Sequence, residues 1–243
     1  MTLRHIAAIH FEGHREAAKK RVQRLKVAGL IGERSRLPQE PAVHSISRKG
    51  FDELQKRRML ERYPQMGWGT VEKRVRVSKL TLQHELEVMD VKATFYAATR
   101  HYPMVKVAEF STWPEIIKFD TLHPTRSHAT VKPDGFIRLE DTKPNGDRST
   151  LFFFLEVDRS TETLDLLTAR ICCYREFYKR GGLALRLAEN ARSFKDYPFR
   201  LLIVCKSKDR KDNIAARLLL LNPPIRTFVS LKTMDETLFD ILT

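Results

Sequence analysis

The sequence feature that most constrains the fold is an apolar run that ends in two acidic residues. Every residue from Phe152 to Leu155 is apolar, which is typical of a strand buried on both faces. Glu156 and Asp158 follow, and their carboxylates lie on the same side because side chains alternate along a strand. Two neighbouring carboxylates are costly to bury without a cation between them. The run therefore predicts a buried strand ending at a cation-binding site.

A second acidic signature lies about one hairpin earlier in the sequence. Pro133-Asp134-Gly135 opens another strand-like run. Carboxylates are the ligands that Mg²⁺ prefers, so Asp134 and Glu156 are the candidate ligands for Mg²⁺ or Mn²⁺. Glu85 or Glu87, on a preceding predicted helix, could add a third carboxylate. A metal held in this way indicates phosphodiester chemistry.

The positive charge of the chain is concentrated at its N-terminal end. The net charge is +14, and residues 1–80 carry 19 Lys and Arg against 8 Asp and Glu. This asymmetry predicts a polyanionic partner, most simply double-stranded DNA. The sequence contains no apolar run of about 18 residues, so no membrane span is expected.

The basic region has the helix and strand pattern of a DNA reader. Thr2 is a candidate N-cap for a short helix. A second helix is predicted from about His14 to Ala28, with Gly29 at its end. Its predicted apolar face contains Ala17, Ala18, Val22, Leu25 and Ala28.

A two-stranded hairpin around residues 30–47 and a helix from Phe51 to about Tyr63 follow, and this order resembles a winged helix-turn-helix. In that arrangement the basic helix enters the major groove of DNA. The alternative is a solvated basic face with no partner. The candidate DNA-binding residues are Arg15, Lys19, Lys20, Arg21, Arg24 and Lys26.

The remainder of the chain predicts an α/β (α+β) domain. Predicted elements are a helix over 80–100, strands over 104–110, 133–139 and 151–157, a helix over 161–179 with its start at Ser160-Thr161-Glu162, a strand over 199–205, a helix over 209–221, a strand over 226–231 and a final short helix. The predicted domains are residues 1–66 and 80–243, with a linker at 67–79.

The order of these elements resembles the αβββαβ core of PD-(D/E)xK, or restriction-endonuclease-like, nucleases. Pro133-Asp134 and Glu156-Val157-Asp158 fall on the strands that carry that motif, and Arg170 and Tyr174 resemble its helical Q-x-x-x-Y signature. The whole chain resembles the replication-relaxation family, through Leu82 to Val91, Pro133 to Gly135 and Phe153 to Glu162. The resemblance implies DNA binding linked to replication or mobilisation of a plasmid or other mobile element.

One departure from the nuclease pattern leaves the chemistry open. The third-strand lysine of active nucleases is replaced here by Asp158. The carboxylates could form a working metal site in which Arg170 replaces the missing cation, so Asp134, Glu156, Asp158, Arg170 and Tyr174 are the candidate catalytic residues. They could instead be a decayed site on a DNA-binding fold. In a third interpretation Asp158 pairs with Arg159 or Arg170 as a structural salt bridge.

The remaining expectations concern compartment and partners. Cys172, Cys173 and Cys205 are odd in number and lack CxxC spacing, which predicts reduced core residues in a cytoplasmic protein. Replication, relaxase or transposition proteins are the expected protein partners. A homodimer is a further expectation, because winged-helix readers often dimerise.

Overall fold

The computed structural model describes residues 1–115, 117–143, 145–187 and 197–231, together with residues 238 and 241. The chain divides into two compact units, Met1–Ala97 and Ala98–Thr243. The predicted α/β class is confirmed, since helices and mixed sheets form the described part of the chain. No helix in that part combines the length and the apolar composition that crossing a bilayer requires.

The N-terminal unit contains helices that flank a small hairpin. Its elements are α1 (Leu3–His10), α2 (Arg15–Val27), β1 (Ile31–Glu33), β2 (His44–Ile46), α3 (Arg48–Lys56), α4 (Trp68–Val75) and α5 (Lys79–Ala98), of which Ala98 belongs to the second unit. The hairpin is antiparallel, with Ile31 opposite Ile46. Thr2 caps α1 as predicted, since its side chain accepts a hydrogen bond from the His5 amide.

Two glycines fix the junction between α2 and the hairpin. Gly29 has a φ of 70°, a left-handed conformation that ends α2 as predicted. Gly50 lies so close to the junction that an added Cβ would be 2.0 Å from the carbonyl oxygen of Leu30. The start of α3 therefore packs directly against the backbone that follows α2.

The predicted linker differs from the structure. Most of residues 67–79 form α4 and the segment leading into α5, and the ring of Trp68 packs edge-on against Phe51 at 5.8 Å. Val71 of α4 is buried. Gly67 and Gly69 suggest a break in the sequence, but these apolar contacts stabilise a helix there. The predicted third helix is also shorter, because it ends at Lys56 rather than near Tyr63.

The C-terminal unit is built on a five-stranded sheet. The strands of that sheet are β3 (Val105–Ser111), β6 (Gly135–Thr142), β7 (Arg148–Asp158), β8 (Phe199–Cys205) and β9 (Thr227–Leu231). A separate hairpin is formed by β4 (Phe119–His123) and β5 (Arg126–Val131). The helices are α6 (Leu164–Lys179), α7 (Gly182–Leu187) and α8 (Lys208–Leu219). The sheet order is β3-β6-β7-β8-β9. Strands β3 and β7 are each antiparallel to β6, which lies between them, whereas β8 is parallel to both β7 and β9. Parallel neighbours need crossovers, and α6 and α8 lie in those connections.

The core forms where α6 packs on one face of the sheet. Phe152 and Phe154 of β7 point to this face, and Phe154 lies 5.4 Å from the ring of Tyr174 on α6. The β4–β5 hairpin covers the same region, with Phe119 stacked on Phe177 at 3.9 Å. The cysteines predicted as core residues are buried: Cys172, Cys173 and Cys205. The last residues of β7 therefore sit at the edge of a dense aromatic core.

Three predicted features of this unit need correction or lie outside the described residues. The segment before the predicted strand at 133–139 contains the β4–β5 hairpin, which was not predicted. Helix α6 begins after Thr163, whose hydroxyl accepts from the Leu166 amide, rather than at Ser160-Thr161-Glu162. Ser160 has a φ of 59°, which a helix start cannot use. Most of the predicted final helix lies outside the described residues.

Candidate functional site

The buried end of β7 contains a carboxylate held by two donors. Glu156 is 3% exposed. One carboxylate oxygen accepts from the hydroxyl of Tyr174, and the other accepts from Arg170 at 3.0 Å. Both partners project from α6, four residues apart, so one face of that helix supplies both donors. Glu156 is thus a fully engaged buried acid.

Burial controls the ionisation of this cluster. Desolvation, followed by the nearby charge of Asp134, raises the pKa of Glu156 to about 7. Burial and the neighbouring Glu156 also raise the pKa of Tyr174 well above its ordinary value. Burial disfavours the charged form of Arg170, but Glu156 and Glu162 outweigh it and raise the pKa of the guanidinium. Arg170 is therefore the permanent cation of the cluster.

Arg170 links two carboxylates rather than one. Its second terminal nitrogen donates to Glu162 at 2.9 Å, while the first donates to Glu156. Glu162 precedes α6, so the guanidinium fastens the entry of that helix to the end of β7. The sequence predicted Arg170 as a cation for this site but did not predict its contact with Glu162.

Asp158 belongs to a separate ion pair. Arg210 of α8 binds it in a bidentate manner, with distances of 2.7 and 3.1 Å, and also donates to the Glu162 carbonyl at 2.8 Å. The Asp158 side chain is 1% exposed and that of Arg210 is 15% exposed. The expected pairing of Asp158 with Arg170 is wrong, because Arg170 is directed at Glu156 and Glu162. Asp158 thus has a structural partner 52 residues away.

Asp134 lies beside Glu156, as the sequence predicted. Gly135 pairs with Leu155 in the β6–β7 register, so Asp134 follows that register to the level of Glu156. One oxygen of Asp134 accepts from the Val157 amide at 2.7 Å. Its charge is close enough to raise the pKa of Glu156. The two carboxylates of the predicted metal site therefore do converge.

The donor set nevertheless does not fit a resident Mg²⁺ or Mn²⁺. Both oxygens of Glu156 already accept hydrogen bonds, and Arg170 places a positive charge at the carboxylate. Within the described ranges, no group of three or more His, Cys, Asp or Glu side chains has an arrangement that could hold a metal ion. Glu85 pairs with Arg74 in the N-terminal unit. We therefore derive no metal-dependent step from this cluster.

Unlike the buried carboxylate cluster, the basic helix α2 of the N-terminal unit is mostly exposed to solvent. Only Ala18 and Val22 of α2 are buried, with Leu25 half-buried. Ala17 and Ala28, predicted on the apolar face, are exposed. The contact stripe is therefore narrow, and most of the circumference of α2 faces solvent.

The six predicted DNA-binding residues all lie on α2, and most have no acidic partner. Lys26 pairs with Glu33 at 2.7 Å, and Lys19 approaches Glu16 at 4.0 Å. Four cations form no ion pair with any described residue and are exposed: Arg15, Lys20, Arg21 and Arg24. Uncompensated positive charge on one exposed helix produces a local field that attracts polyanions.

Comparison with known proteins shows where this chain belongs. A family model described as replication-relaxation matches residues 1–190. The chain belongs to the replication-relaxation family. Neither the curated proteins nor the solved structures contain a significant match. Membership of the replication-relaxation family supports a role in the replication of mobile elements.

The family match covers α2 and most of the carboxylate cluster. Asp134, Glu156, Arg170 and Tyr174 lie within residues 1–190, whereas Arg210 lies beyond them. The ion pair of Asp158 thus joins a residue inside the matched region of this replication-relaxation protein to one outside it.

Sequence reasoning identified most members of the cluster but missed two. Glu162 was predicted to cap α6, whereas it binds Arg170 just before that helix begins. Arg210 follows Ser207, the N-cap of α8, and nothing in the local sequence signals a contact with β7. Pairing between distant elements depends on the sheet order, which local patterns do not contain.

Proposed function

We propose that this chain binds double-stranded DNA through the exposed face of α2 and acts in the replication or mobilisation of a plasmid or other mobile element. The observation that carries the proposal is the set of cations on α2 without acidic partners. Phosphates are the commonest contacts of Lys and Arg in protein–DNA complexes. A cytoplasmic location and contacts with replication, relaxase or transposition proteins follow from the same proposal.

The position of α2 agrees with a role as a recognition helix. It follows the short helix α1 and precedes the β1–β2 hairpin, which is the order of a winged helix-turn-helix. Its narrow buried stripe leaves the remaining side chains free to enter a groove. Arg24 and Lys26 in the last turn also face the negative end of the helix dipole, which favours cations there.

In this proposal the C-terminal unit does not cleave DNA. The carboxylates of Glu156 and Asp158 are engaged by arginines and a tyrosine, so their contacts support a structural network. The alternative is a Mg²⁺-dependent endonuclease that uses Asp134 and Glu156. The convergence of these two carboxylates is the observation that favours it.

Binding is tested with a fluorescent duplex and fluorescence anisotropy. Replacing Lys20, Arg21 and Arg24 with alanine should weaken duplex binding by at least about tenfold, because phosphate contacts are lost. The matched control is Arg57→Ala, an exposed arginine of α3's C-terminal end that pairs with Glu53. Equal affinities for the triple variant and the wild type would refute the assignment of α2.

Cleavage is tested separately with supercoiled plasmid in Mg²⁺ or Mn²⁺. We expect no nicking by the wild-type chain. Nicking that disappears in both Asp134→Ala and Glu156→Ala would establish the endonuclease instead.

A further inference from the structure

The N-terminal unit contains a cavity lined by its own residues. Its volume is about 490 Å³, within the range of about 300–1,000 Å³ typical of ligand sites. The β1–β2 hairpin, the start of α3 and one face of α4 line it. Every lining residue belongs to one compact unit.

Trp68 provides an aromatic wall for this cavity. Its side chain is half-buried, and its ring edge packs against Phe51. The guanidinium of Arg48 lies over the ring at 5.8 Å from its centroid, in the position that a stacked planar group would take. A tryptophan held in place on one side and accompanied by an arginine offers a flat surface for stacking a planar group.

Arginines dominate the charge around the cavity. Arg34, Arg48 and Arg76 line it, together with Glu33 and Glu72. Glu33 is already neutralised by Lys26 at 2.7 Å and Arg36 at 3.0 Å. The surrounding field is therefore positive and suits an anionic ligand.

Two of these arginines can change partners at little cost. Arg48 pairs with Asp52 and Arg76 pairs with Glu72, and both arginine side chains are more than 60% exposed. Exposed ion pairs contribute little to stability, so a phosphate can replace the carboxylate. Arg34 has a different role, because it donates to the carbonyls of Val75 and Val77 and ties β1 to the end of α4. These hydrogen bonds of Arg34 hold together two of the elements that line the cavity.

We propose that this cavity binds one unpaired base of a single DNA strand, with Trp68 stacked on the base and Arg48 and Arg76 on the flanking phosphates. The proposal deepens the proposed function and rests on it, since it adds a single-strand contact to a duplex-binding unit. A paired base within a duplex is already stacked, so only an unpaired base can enter. A protein with both contacts would recognise DNA that is partly opened.

The test uses the fluorescence of Trp68 in the full chain. Trp113→Phe leaves Trp68 as the only tryptophan. Titration with an oligothymidylate should quench this fluorescence, because the base stacks on the indole ring. In the same background, replacing both Arg48 and Arg76 with alanine should weaken binding of the oligothymidylate by at least about tenfold, because two charge-assisted contacts to phosphate are lost. Arg57→Ala, outside the cavity, should leave it unchanged.

A second variant separates stacking from folding. Trp68→Phe keeps an aromatic ring against Phe51 and should retain most of the single-strand affinity, measured by anisotropy with a labelled oligothymidylate. Trp68→Leu should lose it while circular dichroism shows an unchanged fold. If Trp68→Leu unfolds, the double arginine variant alone decides the matter.

The outcomes distinguish this proposal from the proposed function. Loss of duplex binding in the triple α2 variant, with quenching retained, supports both proposals. Absence of quenching by oligothymidylate, with duplex binding intact, overturns the cavity proposal alone. Quenching by an acidic peptide but not by oligothymidylate would also overturn it, and would assign the cavity to a protein partner.

Discussion

The exposed face of α2 and the buried end of β7 each carry several charges of one sign, but only the charges at β7 are paired with opposite charges. At β7, Glu156 and Asp158 each bind an arginine from a helix that packs on the sheet. On α2, Arg15, Lys20, Arg21 and Arg24 form no ion pair with any described residue. A buried charge that the fold compensates contributes to structure, whereas exposed and uncompensated charge is available to a partner.

Burial explains the difference between these regions. An unpaired ion in a protein interior costs several kcal/mol, so a buried carboxylate has to acquire a cation, a donor or a proton. An exposed lysine or arginine stays hydrated and costs almost nothing unpaired. The acidic motif in β7 therefore indicates a structural network, whereas the proposed function rests on the exposed cations of α2.

The largest expected effect comes from removing the cation at β7. Arg170→Ala leaves Glu156 buried beside Asp134 without its compensating charge. We expect a loss of about 3 kcal/mol in the free energy of unfolding, at the low end of the range for broken buried pairs because Arg170 is 38% exposed. Urea unfolding followed by Trp113 fluorescence, in a Trp68→Phe background, measures it.

Arg217→Ala is the matched control for that variant. Arg217 pairs with Asp165 between α8 and α6, but both side chains are exposed. Its loss should cost less than about 1 kcal/mol. Equal losses for the two variants would show that burial does not set the strength of the β7 network.

The second-largest expected effect is a pH dependence of the free energy of unfolding that arises from Glu156. Its folded pKa is about 7 and its ordinary value is 4.5, so the folded state holds the proton more tightly. The stability contributed by this proton is present below about pH 4.5 and is lost as pH rises through about 7. Relative to Glu156→Gln, the wild type should lose on the order of 1–3 kcal/mol between pH 5 and pH 8. If the free energies of unfolding of the wild type and of Glu156→Gln changed with pH in parallel, the raised pKa of Glu156 would be contradicted.

A smaller effect follows from removing one donor. Tyr174→Phe deletes the hydroxyl that binds Glu156 and should cost about 1–2 kcal/mol in the free energy of unfolding at pH 7. Tyr197→Phe is the control, since its ring packs 6.0 Å from that of Phe152. Its hydroxyl makes no hydrogen bond to a described residue. A Tyr174→Phe variant as stable as the control would mean that Glu156 does not need this donor.

The smallest effect tests the comparison within α2 itself. Arg24 forms no ion pair with a described residue, whereas Lys26 is held by Glu33. Arg24→Ala should reduce duplex affinity by about two- to fivefold, and Lys26→Ala by less, because phosphate contacts supply most of this affinity. Fluorescence anisotropy at one salt concentration compares them. A larger effect at Lys26 would show that an intramolecular partner does not limit DNA contact.

Local patterns predicted several strands of the five-stranded sheet. Strand β8 has the predicted bounds, Phe199–Cys205, because Leu201 to Cys205 form a continuous and fully buried apolar run. The convergence of Asp134 and Glu156 was expected because about one hairpin separates the two motifs and because they resemble the strands of a nuclease core. These features depend on the periodicity of apolar residues and on segments that lie close together in the sequence, and both can be read from the sequence.

The features that escaped prediction depend on tertiary contacts. Strand β5 is mostly exposed from Arg126 to Val131, so it has no clear apolar alternation. Helix α4 forms despite Gly67 and Gly69 because Trp68 packs on Phe51. Arg210 meets Asp158 only once α8 lies beside β7. Packing between distant segments determined each of these outcomes.

The central claim is that uncompensated cations of α2 bind the DNA backbone, and the salt dependence of duplex affinity tests it most directly. Each phosphate contact contributes about 0.9 to the slope of log affinity against log salt concentration. The variant with alanine at Lys20, Arg21 and Arg24 should therefore show a slope shallower than that of the wild type by roughly 2 to 3. Identical slopes would contradict the account, because they would place the phosphate contacts elsewhere in the chain.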